Sequence, residues 1–363
     1  MNESILIDGS RHNGGGSLLR CALILSSVTK IPFEMINCIS NREEKGLDNS
    51  HIKTIDLFAQ ATKAQVKGSG NGSQTIAFYP KQIFNQKKIF VEFFEDPVSL
   101  PLQSLMVAAL FAKEKTTFVA LGGTHLKNAP SLTSLRETFL RLIHRYTSTA
   151  TIEIENLSFC TDDEGTATVV IEPRDSEDSR PALIVEPREL VAIKGEFFAS
   201  KSMADLELLE SFAHISKVGL KSYEVPVTIN TRYAESCIDC VNLHLFAYYG
   251  DEHGFDNDNA VVISADKRIE DNFIEQKLFD LLDSFKNRLL NKALNPHTVE
   301  ALIPLLALLG GTIESENISD RILGSVYVAE KILDVKFEID SNIISCRGYF
   351  EENKDSALDI EDI

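Results

Sequence analysis

The chain has 363 residues, 44% of them hydrophobic, and a net charge of −18. That length covers one large domain or two ordinary ones with a sizeable core. The charge excludes a broadly basic nucleic-acid-binding surface, so any phosphate ligand has to be held by a local patch against the field of the whole chain.

In chain order, a strand-like run leads into IDGSRHNGGGSLLR at residues 7–20. Consecutive glycines let backbone N–H groups approach an anion, and the start of a helix favours one through its orphan donors and dipole. The loop matches neither a P-loop nor a dinucleotide fingerprint, so a plain strand-to-helix turn stands beside the phosphate reading. Two later stretches echo the first. GGGSLLRCALILSSVTKIPFEMI from Gly14, LPLQSLMVAALFAKEKTTFVAL from Leu100 and NPHTVEALIPLLALLGGTIESE from Asn295 each open on Gly or Pro. Each runs through an apolar helix and a short break into a β-like stretch. Helices this apolar have to be covered on most sides, and recurrence of one supersecondary unit marks a repeat architecture.

Between the second and third echoes about a hundred residues look inserted. SKSMADLELLESFAHISKV reads as one amphipathic helix capped by Ser200 or Ser202. YEVPVTIN, CVNLHLFAYY and AVVISAD read as strands, and DNFIEQKLFDLLDSFKNRLLNKAL as a long amphipathic helix. PRDSEDSRP and NKALNP read as hinges. The fold class is therefore α/β (α+β): a large three-repeat domain over 1–182 and 291–340, an inserted domain over 183–290, and a C-terminal strand with an acidic, solvated tail over 341–363. Of six scattered cysteines only Cys237 and Cys240 form a CxxC, so plain structural thiols and a reducing cytoplasm are expected, with zinc or redox use as the alternative. Neither a secretory signal nor a membrane span is expected.

The stretch from Ile7 to Ile55 resembles the N-terminus of the RNA 3'-terminal phosphate cyclase family, which shows Asp-Gly-Ser, a Gly-Glu-Gly-Gly-Gly-Gln loop, a helix beginning with Arg, and an Asn-Arg…Gly-Leu…Gln-His segment. LGGTHLKNAP from Leu121, ALIPLLALLGG and RILGSVYVAEKILDVKF are similar to later family elements. The resemblance implies three α/β repeats with a smaller domain inserted before the third. It implies ATP-dependent conversion of an RNA 3'-phosphate to a 2',3'-cyclic phosphate through a histidine–AMP, with ATP and Mg²⁺ or Mn²⁺ as cofactors. A neutral imidazole would attack the α-phosphate, and arginines would hold the RNA phosphate.

Carried over residue by residue, the family site is depleted. The nucleophilic histidine becomes Arg321, followed by Gly324 and Ser325, and no histidine follows His297. Arginine stays protonated and cannot take the adenylate. The loop's Glu becomes Asn13 and its Gln becomes Ser17. Ile39 and Asp48 replace two arginines, Ser50 replaces the Gln, FEDP replaces a Thr-Ala-Gly-Ser turn, and DDEGT from Asp162 replaces Arg-Gly-Gly-Gly. Gly14, Gly15, Gly16, Arg20, Arg42, His51 and Gln103 are kept, and the late Asp-Gln pair reads Glu300-Ala301.

The expected nucleotide and phosphate site is therefore Asn13, Gly14, Gly15, Gly16, Ser17, Arg20, Gln103, His297 and Glu300, with Arg42 and His51 toward RNA and no metal site. Arg20 and Arg42 could instead pair with Glu43 or Glu44. His297 and His12 are stand-in nucleophiles, and His125 is read as an exposed residue after a turn. The leading expectation is a cyclase-like protein without the His–AMP step, acting as a binding or scaffold module for an RNA 3' end or a protein partner, with no membrane or DNA partner. The alternatives are an active cyclase with a relocated nucleophile and a divergent enzyme on a related repeat fold, such as the enolpyruvyl transferases.

Overall fold

The β-like runs flanking each apolar echo pair with one another. The computed structural model describes residues 3–41, 43–174, 182–185, 189–250, 261–270 and 274–353. In it β1 (Ile5–Asp8), α1 (Gly16–Thr29) and β2 (Phe33–Ile36) make a parallel βαβ unit. Then α2 (Asn49–Thr62), β3 (Gln65–Lys67) and β4 (Ile76–Tyr79) complete a sheet of order β1-β2-β4-β3. The second echo repeats this with β5 (Lys88–Pro97), α3 (Ser99–Ala109) and β6 (Thr116–Gly123). It continues through α4 (Leu132–Ser134), a π-helical turn (Leu135–Phe139) and α5 (Leu140–His144) to β7 (Thr147–Asn156) and β8 (Thr166–Pro173), in the order β5-β6-β8-β7.

The third unit starts with β9 (Leu183–Ile184) and is then interrupted. The intervening elements are β10 (Glu189–Ser200), α6 (Leu208–Leu220), β11 (Val227–Ala234), β12 (Val241–Gly250), β13 (Val261–Ile269) and α7 (Ile274–Asn291). They form a sheet of their own, β11-β10-β12-β13. The third unit resumes with α8 (Pro296–Leu309), β14 (Gly311–Glu314), α9 (Asp320–Leu333), β15 (Phe337–Asp340) and β16 (Ile343–Cys346), followed by α10 (Tyr349–Glu352). Its sheet order is β9-β14-β16-β15, the pattern of the first two. The chain is thus a mixed α/β protein of repeated units.

The parallel pairing of Leu183 with Gly311 ties residues 183–184 to the third repeat, in a stretch the sequence reading assigned to the insert. A two-residue strand carries no alternation from which to recognise it. The expected single helix from Ser200 splits into a 3₁₀ stretch (Lys201–Leu206) and α6, separated by left-handed Glu207. Neither serine caps it: Ser200 Oγ donates to Ile238 O and Ser202 Oγ to Asp239. Arg42, most of the PRDSEDSRP stretch and residues 354–363 lie outside the described residues. No helix among the described residues is long and apolar enough to cross a membrane.

The three echoing helices sit at the centre. Helix α1 packs on α3, α8 and α9, and α8 on α3 and α9, while the sheets lie outside them. This is why α1, α3 and α8 are apolar on nearly every side. Each starts with a residue suited to a helix entry: Gly16 opens α1, while Pro101 in the first turn of α3 and Pro296 after the Asn295 cap of α8 lack an N–H that would have no intrahelical partner there. Strand β12 is buried at all ten positions. Leu243, Leu245 and Tyr249 join the main core, while His244 and Tyr248 on the opposite face meet Ser134 and Glu137 of the second repeat.

Candidate functional site

The first turns of α1, α3 and α8 converge on a cavity of about 20 Å³, room for one water. Its walls are Ser17, Arg20 and Cys21 from α1, Gln103 from α3, and His297 and Glu300 from α8, with Ser325 of α9 behind. A second cavity of about 330 Å³ adjoins it, sharing Gln103 and His297. Its other walls come from the second repeat (Asn128, Pro130, Ser134, Thr138), from β13 (Ser264, Asp266) and from Arg321 at the start of α9. That volume is of the order of a small-molecule site. The starts of α8 and α9 beside it are capped by their own side chains, Asn295 Oδ1 accepting from His297 N and Ser319 Oγ from Ile322 N.

The glycine loop is built for this place. His12, Asn13, Gly14 and Gly15 take φ values of 48°, 65°, 54° and 142°. A Cβ on Gly14 would lie 2.6 Å from Ser40 Oγ and 2.9 Å from the Gly9 carbonyl, so only glycine fits there. A Cβ on Gly16 would lie 3.0 Å from both Arg20 Nη1 and His51 Nε2. The loop therefore brings Arg20 and His51 together over the start of α1. His51 is positioned by Asp48, whose Oδ1 accepts from the His51 backbone N–H at 3.0 Å and lies 2.5 Å from Nδ1. Asp48, where the resemblance expects an arginine, is the N-cap of α2. Ile39, where it expects another, is buried and left-handed at φ 50°, a conformation uncommon for a β-branched residue.

Arg20 is not free. Its Nη2 lies 3.2 Å from Glu300 Oε1, and both side chains are largely buried. Neither Glu43 nor Glu44 is its partner; the pairing crosses 280 residues. Burial pulls the Arg20 guanidinium below its ordinary range, Glu300 opposes that, and the charge of Arg321 adds to it. Arg321 lies 3.3 Å from His297, Nη1 to Nδ1. A guanidinium only donates, so His297 accepts at Nδ1 and carries its proton on Nε2. Burial holds the His297 imidazole below its usual range; Glu300 pulls it up and Arg321 pushes it down.

The structure thus brings Ser17, Arg20, Gln103, His297 and Glu300 to one cavity, Arg321 and His297 to the next, and Gly16 and His51 to Arg20. Asn13 is exposed on the loop. His12 packs beside Tyr327, with ring centroids 6.2 Å apart. His125, expected at the surface, is instead buried. Its nitrogens lie 2.9 Å from Thr124 Oγ1 and Thr133 Oγ1, and its ring meets Phe198 and His244. Two cysteines are not plain thiols: Cys160 and Cys237 form a disulfide, while Cys21, Cys38, Cys240 and Cys346 are buried thiols. Sequence spacing held no sign of this pair, 77 residues apart.

A divalent ion does not fit the three-helix junction. The carboxylate nearest it, Glu300, is matched to Arg20. Among the described residues the cluster with metal-ligating atoms close together is Cys160, Asp163 and Cys237, which lines neither cavity. The larger cavity is lined by the potential donors Arg321, Gln103 and Asn128 together with the carboxylate of Asp266.

Three βαβ units whose central helices converge at their N-terminal ends, with a fourth sheet inserted into the third unit, define an α/β repeat protein with a cleft at that convergence. The family profile of the RNA 3'-terminal phosphate cyclases matches residues 11–339, and the chain belongs to that family. It is similar to the RNA 3'-terminal phosphate cyclase of Pyrococcus abyssi, 28% identical over 93% of this chain and 96% of the relative. The cyclase of Methanosarcina barkeri is 27% identical over 95% and 98%. That of Koribacter versatilis is 34% identical over 47% of this chain and 48% of the relative.

Proposed function

We propose that this member of the family binds an RNA 3' end or a nucleotide in the larger cavity beside the three-helix junction but does not form the covalent histidine–AMP, and so works as a binding or scaffold module. The observation that carries this reading is Arg321 against His297. The family's nucleophile position holds a permanent cation, and the neighbouring imidazole spends its free lone pair on that cation. The Arg20–Glu300 pair supports the same reading, since it neutralises the arginine that the resemblance assigns to phosphate. ATP would occupy the larger cavity and supply an adenylate in an active relative; here Gln103, Asn128 and Arg321 would bind and orient it. No step is assigned to a divalent ion.

A second reading has one observation in its favour: His297 lines both cavities, and desolvation there lowers its basicity, in the direction that favours an attacking imidazole. The proposal also divides the chain into a three-repeat domain, residues 3–185 and 294–353, and an inserted domain, residues 189–291, supported by the pairing of β9 with β14. A cytoplasmic location belongs to the proposal as well, although the Cys160–Cys237 bond weighs against the cysteine argument for it.

The test is to incubate the protein with ATP labelled at the α-phosphate and Mg²⁺ or Mn²⁺, then to denature it. No protein-bound label, and no cyclic end on a 3'-phosphorylated RNA, is the expected result. Acid-labile label on a histidine overturns the reading, and its loss in His297→Asn assigns the step to His297.

A further inference from the structure

Cys160 lies in the loop between β7 and β8, and Cys237 in the loop between β11 and β12 of the inserted sheet. One carboxylate holds both loops. Asp163 Oδ2 accepts from Phe159 N at 2.8 Å, Cys160 N at 3.2 Å and Ser236 Oγ at 2.8 Å, while Oδ1 accepts from Cys237 N at 3.0 Å. These bonds involve no sulfur, so they keep the two cysteines adjacent whether or not they are joined. Cys237 is exposed and Cys160 half-buried, within reach of small reagents. The other cysteines are buried, and burial pushes Cys240 up to about 11 and Cys38 up to about 12, which leaves them poor thiolates.

The bond sits beside the contact between the second repeat and the inserted sheet. Leu157 and Phe159 pack there on Phe198 and Cys240, and Arg268 of β13 donates to the carbonyls of His125 and Phe159. The same two parts face each other across the 330 Å³ cavity, with Ser134 and Thr138 on one side and Ser264 and Asp266 on the other. How firmly the inserted sheet is held therefore bears on the shape of the cleft.

We propose that Cys160 and Cys237 are a reversible thiol–disulfide switch that sets how tightly the inserted sheet is held against the second repeat. The oxidant is a low-molecular-weight disulfide, RSSR. The exposed Cys237 thiolate attacks one sulfur and releases RS⁻, which takes up a proton to become RSH. The Cys160 thiolate then attacks the protein sulfur of the Cys237–S–SR intermediate, releasing a second RSH and closing the bond. The cysteine pair loses two electrons and two protons, and the oxidant gains them as two RSH. An excess of RSH runs the sequence backwards. Asp163 is a positioning residue: by holding the loops together it raises the effective concentration of one thiol at the other.

The inference is read from the protein alone and does not depend on what the cleft binds. The full chain is equilibrated with oxidised or with reduced glutathione, its thiols are counted after denaturation, and backbone hydrogen exchange is measured. Four reactive thiols are expected after oxidised glutathione and six after reduced. Exchange over residues 157–164 and 235–240 is expected to rise about tenfold in the reduced form and in Cys237→Ser, with α1 and α3 unchanged. Reductant adds nothing further to Cys237→Ser. Asp163→Asn still closes the bond, about tenfold more slowly. Six thiols after oxidised glutathione, or equal exchange in the two states, overturns the proposal. So does stoichiometric Zn²⁺ binding by the reduced pair that blocks its oxidation, since Cys160, Asp163 and Cys237 would then be a metal site.

Discussion

The guanidinium of Arg321 and the imidazole of His297 meet at 3.3 Å on the wall of the larger cavity, where a cation holds the one unprotonated nitrogen of the ring. Removing the cation frees that nitrogen and removes one of the influences that depress its basicity. In Arg321→Ala the His297 resonance is expected to titrate at higher pH than in the parent protein, as followed by NMR of the ring protons. An unchanged titration would mean that the two side chains do not interact in solution.

Arg20 and Glu300 form the second relationship, and breaking it leaves a buried charge alone. Glu300→Gln is expected to lower stability by about 3 kcal/mol in denaturant unfolding, whereas the double variant Arg20→Met, Glu300→Leu loses much less. The same single variant releases Arg20 to a ligand. Its affinity for inorganic phosphate, measured by calorimetry, is expected to rise about tenfold, which corresponds to about 1.4 kcal/mol from removing one like charge at the site.

The glycines of the loop separate into two roles. Gly14 is left-handed and crowded by Ser40 and the Gly9 carbonyl. Gly14→Ala is expected to cost about 2–3 kcal/mol in thermal unfolding. Gly16 sits in the first turn of α1, and a methyl there meets only the ends of Arg20 and His51. Gly16→Ala is expected to cost less than about 1 kcal/mol while weakening phosphate binding, because it pushes those two side chains apart.

Acid should destabilise the contact between the second repeat and the inserted sheet. His125 and His244 are buried together, with Asp266 and Arg136 among the charges facing His244. Burial lowers His244 to about 4, a pull that Asp266 opposes and Arg136 strengthens, and burial with the nearby His244 and arginine charges lowers His125 as well. The folded state therefore binds fewer protons than the unfolded one between the ordinary histidine value and the depressed one. Stability is complete above pH about 6.5 and falls as pH drops toward 4, by roughly 3 kcal/mol for His244 alone. Unfolding midpoints measured from pH 7 to pH 4 test this, and His244→Gln should flatten the slope.

Much of the fold was legible in the sequence. The three apolar helices appear at 16–29, 99–109 and 296–309, under the three echoing stretches, because an all-round apolar helix starting at Gly or Pro is a local signal. Three strands of the insert and its long helix α7 were readable from strand composition and from apolar spacing at i, i+3, i+4 and i+7, whereas β10, the strand that pairs with both β11 and β12, was not among the predicted strands. The start of the insert was misplaced because β9 has two residues and its membership is set by a partner at Gly311. The break before α6 was missed because left-handed Glu207 is no glycine and gives no compositional warning.

For the site, the sequence by itself determined which residue types stand at the family's positions, including the absence of any histidine after His297 and the presence of Arg321. Only the tertiary structure decided how those groups are spent. Arg20 is neutralised by Glu300 across 280 residues, His297 is engaged by Arg321, His125 is buried against His244, and Cys160 is joined to Cys237. The physical reason is the same throughout. Helix starts, strand patterns and turns depend on neighbours along the chain, whereas charge pairing, desolvation and sulfur chemistry depend on neighbours in space, and those were set when three helix N-termini and an inserted sheet packed around one cleft.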